Sequence, residues 1–448
     1  MKQAAVARDA GLSPSEALFA RARKVMPGGV SRNTVLRRPH PYYVVRGEGC
    51  YVTDMDGVRR IDFSNNLTSQ IHGHAHPAIV AAVTDQLQRG TAFSMATEVE
   101  VQFAEHMCSR SPAFEKIRFV NSGTEAVMSA LKAARAFTGR PKIAKVEGAY
   151  HGLYDYAEVS QTSRPSSWGD IDHPASVPVS HGTPAAALND VVVIPFNDPE
   201  RAIAILDRHA DELACVLIDL LPHRVGLIPA SEAFVRALHQ WTRDHGALFV
   251  CDEVITLRSN YGGAQQWYDI RPDLTAMGKM IGGGFPVGAL AGRAEVMDVM
   301  DPWAKTVLFP LSGTYSANPI TMVAGLAAME LFDADAVRRL NRLAALARSR
   351  IAEAIKIARA PACVTGAGSM FRVHMKPEAP RDYRSGLQTE EEAHLLKLLL
   401  DHLAENGVLM IATGSGALST PMTEKEIDRL AEAILGGFRK CVSVRRAG

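Results

Sequence analysis

Residues 277–284, Met-Gly-Lys-Met-Ile-Gly-Gly-Gly, set Lys279 among apolar side chains and glycines. An ammonium there loses hydration, which favours the neutral amine that attacks a carbonyl, and the glycines let a bulky ligand approach the backbone. A lysine whose stem packs while its head snorkels to water fits the same residues. Upstream, the apolar run 247–251 ends in Asp252-Glu253. Ligands of open α/β sheets bind outside the carboxyl ends of the strands, so a carboxylate here can meet a protonated group; a helix cap or a surface pair is the alternative. Asn121-Ser122-Gly123-Thr124-Glu125 stands between a strand-like and a helical stretch. Amides and hydroxyls at a helix start bind phosphate, and Ser122 with Glu125 also spells a capping box. His72-Gly73-His74-Ala75-His76 alternates as a metal-binding strand would. No carboxylate or cysteine joins it at ligand spacing and Pro77 opens a helix next, so no metal is expected. Residues 282–288 supply no dinucleotide fingerprint, which counts against a nicotinamide-dependent oxidoreductase.

The elements that must carry these residues follow from periodicity and punctuation. Ser13-Pro14-Ser15-Glu16 opens a helix running to about residue 25, where Pro27-Gly28-Gly29 ends it. Residues 42–45 and 50–53 read as short strands, with Asp56-Gly57 as a hairpin turn. From about residue 77 strands alternate with helices. Residues 117–120, 143–146, 191–194, 215–219 and 247–250 are the apolar runs, and 125–137 and 233–242 carry helical periodicity. Such βα units imply a mostly parallel central sheet covered by helices. Residues 151–191, rich in Ser, Pro, Gly and His, show no period, as a functional or mobile loop would. The chain then reads as helical from about 326 to 359, with a strand at 370–374 and capping boxes at Thr389-x-x-Glu392 and Thr423-x-x-Glu426, a smaller α+β region. The expected division is 1–76 as an N-terminal segment serving the small domain and substrate pocket, 77–325 as the large domain, and 326–448 as the C-terminal small domain.

The 448 residues suffice for such a two-domain core. Lys+Arg number 49 against 48 Asp+Glu, and this near balance argues against nucleic acid or an acidic membrane surface as partner. Apolar residues make up 47% and charged residues 22%, the make-up of a globular protein and not of a disordered one. The six cysteines have no close pairing and several lie in apolar runs, as reduced thiols in a cytoplasm would. Residues 1–23 carry charges throughout, unlike a secretory signal, and the uncharged stretch 306–329 holds Pro310 and Pro319 and is a poor membrane span.

Taken together, these motifs resemble those of the class III aminotransferases, pyridoxal-phosphate enzymes of fold type I, and especially the glutamate-1-semialdehyde aminomutase branch. The resemblance runs from Pro27-Gly28-Gly29 through His72–Pro77 to the helices after residue 389. Its most specific parts are Asn121–Ala126, Gly148-Ala149-Tyr150-His151-Gly152, Asp252-Glu253-Val254, Pro272–Thr275 with Gly278-Lys279, and Ser312-Gly313-Thr314 with Asn318-Pro319. It implies that Lys279 forms the Schiff base with pyridoxal 5′-phosphate and shuttles a proton between the substrate Cα and the cofactor C4′, pyridoxamine phosphate being the form that carries the amino group. It further implies that Asp252 pairs with the pyridine nitrogen, that Tyr150 stacks on one ring face with Val254 on the other, and that His151 belongs to the cofactor site. Ser122, Gly123 and Thr124 would hold the phosphate together with Thr314 of a neighbouring subunit, which makes the enzyme a homodimer with shared sites.

Departures from the pattern bear on substrate. Aminomutases of this branch carry a Trp before the turn at Gly73 and a gating Glu in the C-terminal segment; the matching places here are Leu67 and residues 411–416. The segment Ile218–Arg224 lacks the usual Glu-Pro pair, so the pocket wall there should differ. Arg32 and Arg258 are the candidate substrate residues, because a guanidinium fork suits a carboxylate, and Ser31-Arg32 and the short Thr256-Leu257-Arg258 resemble the β-amino-acid aminotransferases. The expected activity is amino transfer from an amino acid to a carboxylate-bearing keto or semialdehyde acceptor, a β-amino or β-keto acid among the candidates. Intramolecular amino transfer and a non-catalytic cofactor-binding paralogue are the alternatives.

Overall fold

A computed structural model of the protein describes residues 12–447. Residues 1–11, part of the stretch read as lacking a secretory signal, lie outside the described residues. The strands of the N-terminal half are β1 (Val44–Glu48), β2 (Tyr51–Asp54), β3 (Arg59–Asp62), β4 (Lys116–Val120), β5 (Lys142–Val146), β6 (Gly169–Asp170), β7 (His173–Pro174), β8 (Val191–Ile194) and β9 (Leu213–Ile218). The remainder are β10 (Leu248–Asp252), β11 (Leu274–Gly278), β12 (Gly288–Gly292), β13 (Cys363–Thr365), β14 (Met370–His374), β15 (Val408–Leu409) and β16 (Ser415–Ala417).

Seven of them form the central sheet in the order β4-β12-β11-β10-β9-β5-β8. Every residue of β8, β9 and β10 is buried, as strands covered by helices on both faces must be, and that is why they read as unbroken apolar runs. All pairs are parallel except those of β12, which runs antiparallel between β11 and β4. The sheet is therefore mixed at one strand, where a mostly parallel sheet covered by helices was expected. The helix Gly123–Thr138 packs on it through Ala126, Ala130, Ala133 and Ala134, whose small side chains bring helix and strands close. Gly139 ends that helix in the left-handed region (φ 69°), where a side chain would be strained.

Both ends of the chain meet outside this sheet. Hairpin-linked β1, β2 and β3 gain β15 as a fourth strand, parallel to β3, with Val408 opposite Ile61. Beside them lie β13-β14-β16 and the helices Ala334–Ala358, Glu390–Glu405 and Glu424–Ala447. Two expectations shift here. The helical stretch begins at Pro319, not near 326, because Asn318 caps it and Pro319 takes its first position, and it breaks at Phe332 before a new helix capped by Asp333. The first strand lies at Val44–Glu48, two residues later than its apolar run, because pairing with β2 and not burial defines it. Residues 151–191 hold short helices and the β6–β7 ribbon, pinned by buried Ser160 and Ser163. Among the described residues no helix is long and apolar enough to cross a membrane.

Candidate active site

The carboxyl ends of β4, β5, β9, β10 and β11 share one edge of the sheet, and a cavity of about 540 Å³ opens there. Alternation along β10 decides which carboxylate faces it: neighbouring side chains point to opposite faces. Asp252 lines the cavity. Glu253 turns away and is spent on structure, its oxygens accepting from the amides of Ala264 (3.0 Å) and Gln265 (2.8 Å) and from Thr256 Oγ1 (2.6 Å). Burial lifts the Glu253 carboxyl to about 7.

Asp252 is held from two sides. Its Oδ1 accepts from the Val254 amide at 3.0 Å and its Oδ2 lies 2.7 Å from His151 Nδ1. Burial pushes the His151 pKa down, outweighing the carboxylate that raises it, so the neutral ring donates from Nδ1 to Asp252. His151 Nε2 is buried with no partner. Lys279 follows β11 directly and takes φ 50°, a left-handed conformation that a non-glycine residue adopts only when its surroundings enforce it. Burial lowers its pKa, opposed by Asp252 and Asp219, and this favours the neutral amine over that of a free lysine.

Across the cavity the helix Gly123–Thr138 presents its first amides, which have no acceptor within a helix. Ser122 Oγ accepts from the Glu125 amide, but Glu125 reaches back to the Asn121 amide instead of Ser122, so the expected capping box is only half formed. Gly123 must be glycine here, since a Cβ would stand 2.9 Å from Val254 Cγ1. Gly152 (φ 95°) lets its loop pass Thr124, whose Oγ1 would be 2.7 Å from a Cβ. Tyr150 lines the same cavity. An anion-binding helix start, a buried carboxylate, an amine, an aromatic ring and the methyls of Val254 all border one space, and these residues fit pyridoxal phosphate.

Not every candidate comes to this place. Thr314 is exposed and does not line the cavity of its own chain. Arg32 does line it, with Nη1 donating to Asn66 Oδ1 at 2.7 Å. Arg258 does not. It is wholly buried, donating from Nε to Ser369 Oγ (2.7 Å), from Nη1 to the Thr68 carbonyl (2.9 Å) and from Nη2 to the Leu418 carbonyl, so no face of the fork is left for a substrate. The histidine triplet diverges as well: His72 bonds Thr420 Oγ1 and the Ala328 carbonyl, His74 bonds Asp62, and His76 precedes a helix.

Three residues of the site escaped the sequence reading. Asp219 directly follows β9 much as Asp252 ends β10, and the same strand-end signal would have found it; burial and then Asp252 push its carboxyl well above the usual range. Lys145 is buried inside β5, where Nζ donates to the carbonyls of Ala149 (3.1 Å) and Val159 (2.6 Å) and so fixes the turn bearing Tyr150 and His151. Asn66 belongs to a run of four non-glycine residues, Asn65 to Thr68, all with φ between 46° and 74°. Nothing local in the sequence announces a left-handed turn there.

Comparison with known proteins places this arrangement. The family described as Aminotransferase class-III matches residues 34–436. A glutamate-1-semialdehyde 2,1-aminomutase of Methanothermobacter thermautotrophicus is 37% identical over 397 residues, 88% of this chain and 91% of its own. An ω-transaminase of Sphaerobacter thermophilus superposes with TM-score 0.94 at 46% identity, over 98% of this chain and 99% of that one. A β-phenylalanine aminotransferase of Variovorax paradoxus gives 0.85 at 34% identity, over 94% and 93%. With pyridoxal phosphate as its cofactor and small molecules as its substrates, the chain belongs to the class III aminotransferases.

Proposed function

We propose that the protein transfers an amino group between two separate acids, each bearing a carboxylate, and that its donor is a β-amino acid. The observation that carries this reading is Arg32, which borders the same cavity as Lys279 and is oriented by Asn66. Its fork binds a carboxylate in two-point fashion and so fixes which substrate carbon faces the amine. The positions that set the aminomutases apart support transfer over retention. Leu67, Ile411 and Ala412 border an adjoining cavity of about 950 Å³ that also reaches Arg32, giving apolar room beside the carboxylate anchor. Of the relatives, one at 34% identity is a β-phenylalanine aminotransferase and one at 46% an ω-transaminase, whereas curated relatives near 37% are aminomutases.

When bound, pyridoxal phosphate supplies an aldehyde and an electron-withdrawing ring. Lys279 Nζ would hold the aldehyde covalently and, once displaced by the incoming amine, take the proton from the substrate carbon. Asp252, positioned by His151 and the Val254 amide, would hold a proton on the ring nitrogen. Ser122, Gly123 and Thr124 would bind the phosphate, while Tyr150 and Val254 would confine the ring and exclude water. The matching Thr314 contribution comes from a second copy, so the working form is a homodimer; Trp303, Leu308 and Tyr315, exposed by 93%, 58% and 62%, are the kind of apolar surface such a partner covers. Free, mostly buried thiols suit a reducing compartment such as the cytoplasm.

The test adds α-amino acids, β-amino acids and ω-amines singly to the cofactor-loaded protein and follows its visible absorbance. A β-amino acid should bleach the band without an acceptor, and Arg32→Ala should raise the concentration needed about 10–100-fold, the worth of a charge-assisted fork. Bleaching by ω-amines alone, insensitive to Arg32, would reject the reading, and turnover of one amino-aldehyde without any acceptor would favour the aminomutase. Asp252→Asn should lower turnover about 10²–10³-fold, as loss of one preorganised electrostatic group does. An effect under tenfold would place the partner of the ring nitrogen elsewhere.

A further inference from the structure

The cavity wall at the end of β9, where the sequence departs from its relatives, carries an acid with an oxygen to spare. β9 and β10 run parallel with Ile218 opposite Cys251, so the next rung sets Asp219 beside Asp252, about 4.8 Å away across the strands and on the same face. Both residues are buried and both line the cavity. Their commitments differ. Asp252 uses one oxygen on the Val254 amide and the other on His151. Among the described residues the Asp219 side chain makes one hydrogen bond, Oδ1 accepting from the Leu221 amide at 2.9 Å, and no ion pair, so Oδ2 is left for whatever fills the cavity.

Two carboxylates on neighbouring strands repel, and a buried acid with no cation in hydrogen-bond reach keeps its proton. Burial and then Asp252 hold the Asp219 carboxyl well above the usual range, against the Leu221 amide and Lys279. The groups around it do not relieve that state: Glu253 faces away into the Ala264 and Gln265 amides, His151 donates to Asp252, and burial keeps the protons on Cys251, Tyr150 and Tyr268. A protonated Asp219 is a donor, where a carboxylate could only accept. Its place says what it meets. In the sheet β11 lies on one side of β10 and β9 on the other. Lys279 follows β11, and the helix start belongs to the same side, since a Cβ on Gly278 would stand 3.4 Å from Gly123 Cα. A pyridoxal ring anchored at three points, nitrogen to Asp252, phosphate to Ser122–Thr124 and aldehyde to Lys279, has one edge left, the one bearing its phenolic oxygen. We infer that Asp219 donates a hydrogen bond from its protonated carboxyl to that phenolic oxygen, whichever acid supplies the amino group. The bond stabilises the oxygen as an anion and loosens its hold on the proton of the adjoining Lys279 nitrogen, which is then lost at lower pH.

The experiment is a pH titration of the visible absorbance of cofactor-loaded wild type, Asp219→Asn and Asp219→Leu, with cofactor affinity measured alongside. Asparagine copies a protonated aspartate, its oxygen serving the Leu221 amide and its N–H the cofactor, so Asp219→Asn should titrate close to wild type. Asp219→Leu cannot donate. It should titrate about one pH unit higher and bind pyridoxal phosphate about tenfold more weakly, as loss of one hydrogen bond to a charged oxygen does. An ionised Asp219 would instead hold the nitrogen's proton in place, and both variants would titrate below wild type. That sign overturns the proposal, as does an unmoved midpoint in Asp219→Leu or an Asp219→Asn midpoint displaced as far as that of Asp219→Leu. Should Asp219→Leu fail to fold, the infrared difference between wild type and Asp219→Asn decides: it should carry a protonated carboxyl stretch that shifts when pyridoxal phosphate is added, and a carboxylate stretch, or one that ignores the cofactor, overturns the proposal. A wild type that titrates as expected yet is bleached by no β-amino acid supports this role for Asp219 and removes only the reading of the donor.

Discussion

Lys279→Ala should cut amino transfer about 10⁴-fold, the upper end of what one positioned acid–base group contributes. The size follows from the lack of any substitute in the cavity. Its other titratable residues, Arg32, Tyr150, His151, Asp219 and Asp252, include no second primary amine. Lys145, a fully buried lysine on β5, has its Nζ committed to two carbonyls. The variant should bind pyridoxal phosphate without a covalent link, so borohydride reduction followed by peptide mass analysis should show the adduct at Lys279 in wild type and none in the variant. A loss smaller than tenfold, or an adduct on another lysine, would move the amine out of this site.

The second large effect concerns a residue away from the chemistry. Arg258→Ala should cost about 3–5 kcal/mol of stability, since it leaves a cavity and strips three buried acceptors of their donors at once. Burial alone already lowers the Arg258 pKa to about 9, and no carboxylate offsets that desolvation, so the residue persists for what it holds. One of its acceptors is the Thr68 carbonyl, which closes the left-handed run from Asn65 to Thr68. The amides of Ser64 and Asn65 are anchored by Asp62 from the other end. Each such backbone conformation costs about 1–3 kcal/mol, and without Arg258 the run should relax. Asn66 would then release Arg32, so the Michaelis constant for a carboxylate substrate should rise while denaturant midpoints fall. Arg258→Met, which fills the volume and leaves the acceptors bare, should recover part of the stability and none of the substrate affinity. Unaltered denaturation in Arg258→Ala would show that the clamp is dispensable.

That clamp marks where the sequence stopped being readable. β8, β9 and β10 are legible because burial on both faces demands unbroken apolar runs, and the helix Gly123–Thr138 because its start and its Gly139 stop are local signals. Strand β12, Gly-Ala-Leu-Ala-Gly, carries no period and owes its place to pairing with strands on either side. The two-residue β15 is set wholly by β3. At the site, Lys279, Asp252 and the Asn121–Glu125 turn could be named because each combines a strand end or helix start with an unusual local setting, whereas Tyr150 was reached only through the family resemblance. Arg258 was named through the resemblance of Thr256-Leu257-Arg258 to the β-amino-acid aminotransferases, but its partners come from residues 68, 369 and 418, and no local spacing reports them.

The pairing of β3 with β15 also sets a timetable for synthesis. Ile61 leaves the ribosome roughly 350 residues before Val408, its partner, so at about 5–20 residues per second the edge of β3 stays uncovered for about 20–70 s. Through that interval the nascent protein presents an open strand, the template on which neighbouring chains aggregate. The charged pair Arg59-Arg60 at the start of that strand, and the burial of Arg60 against Asp54, then serve the newborn chain as well as the finished one.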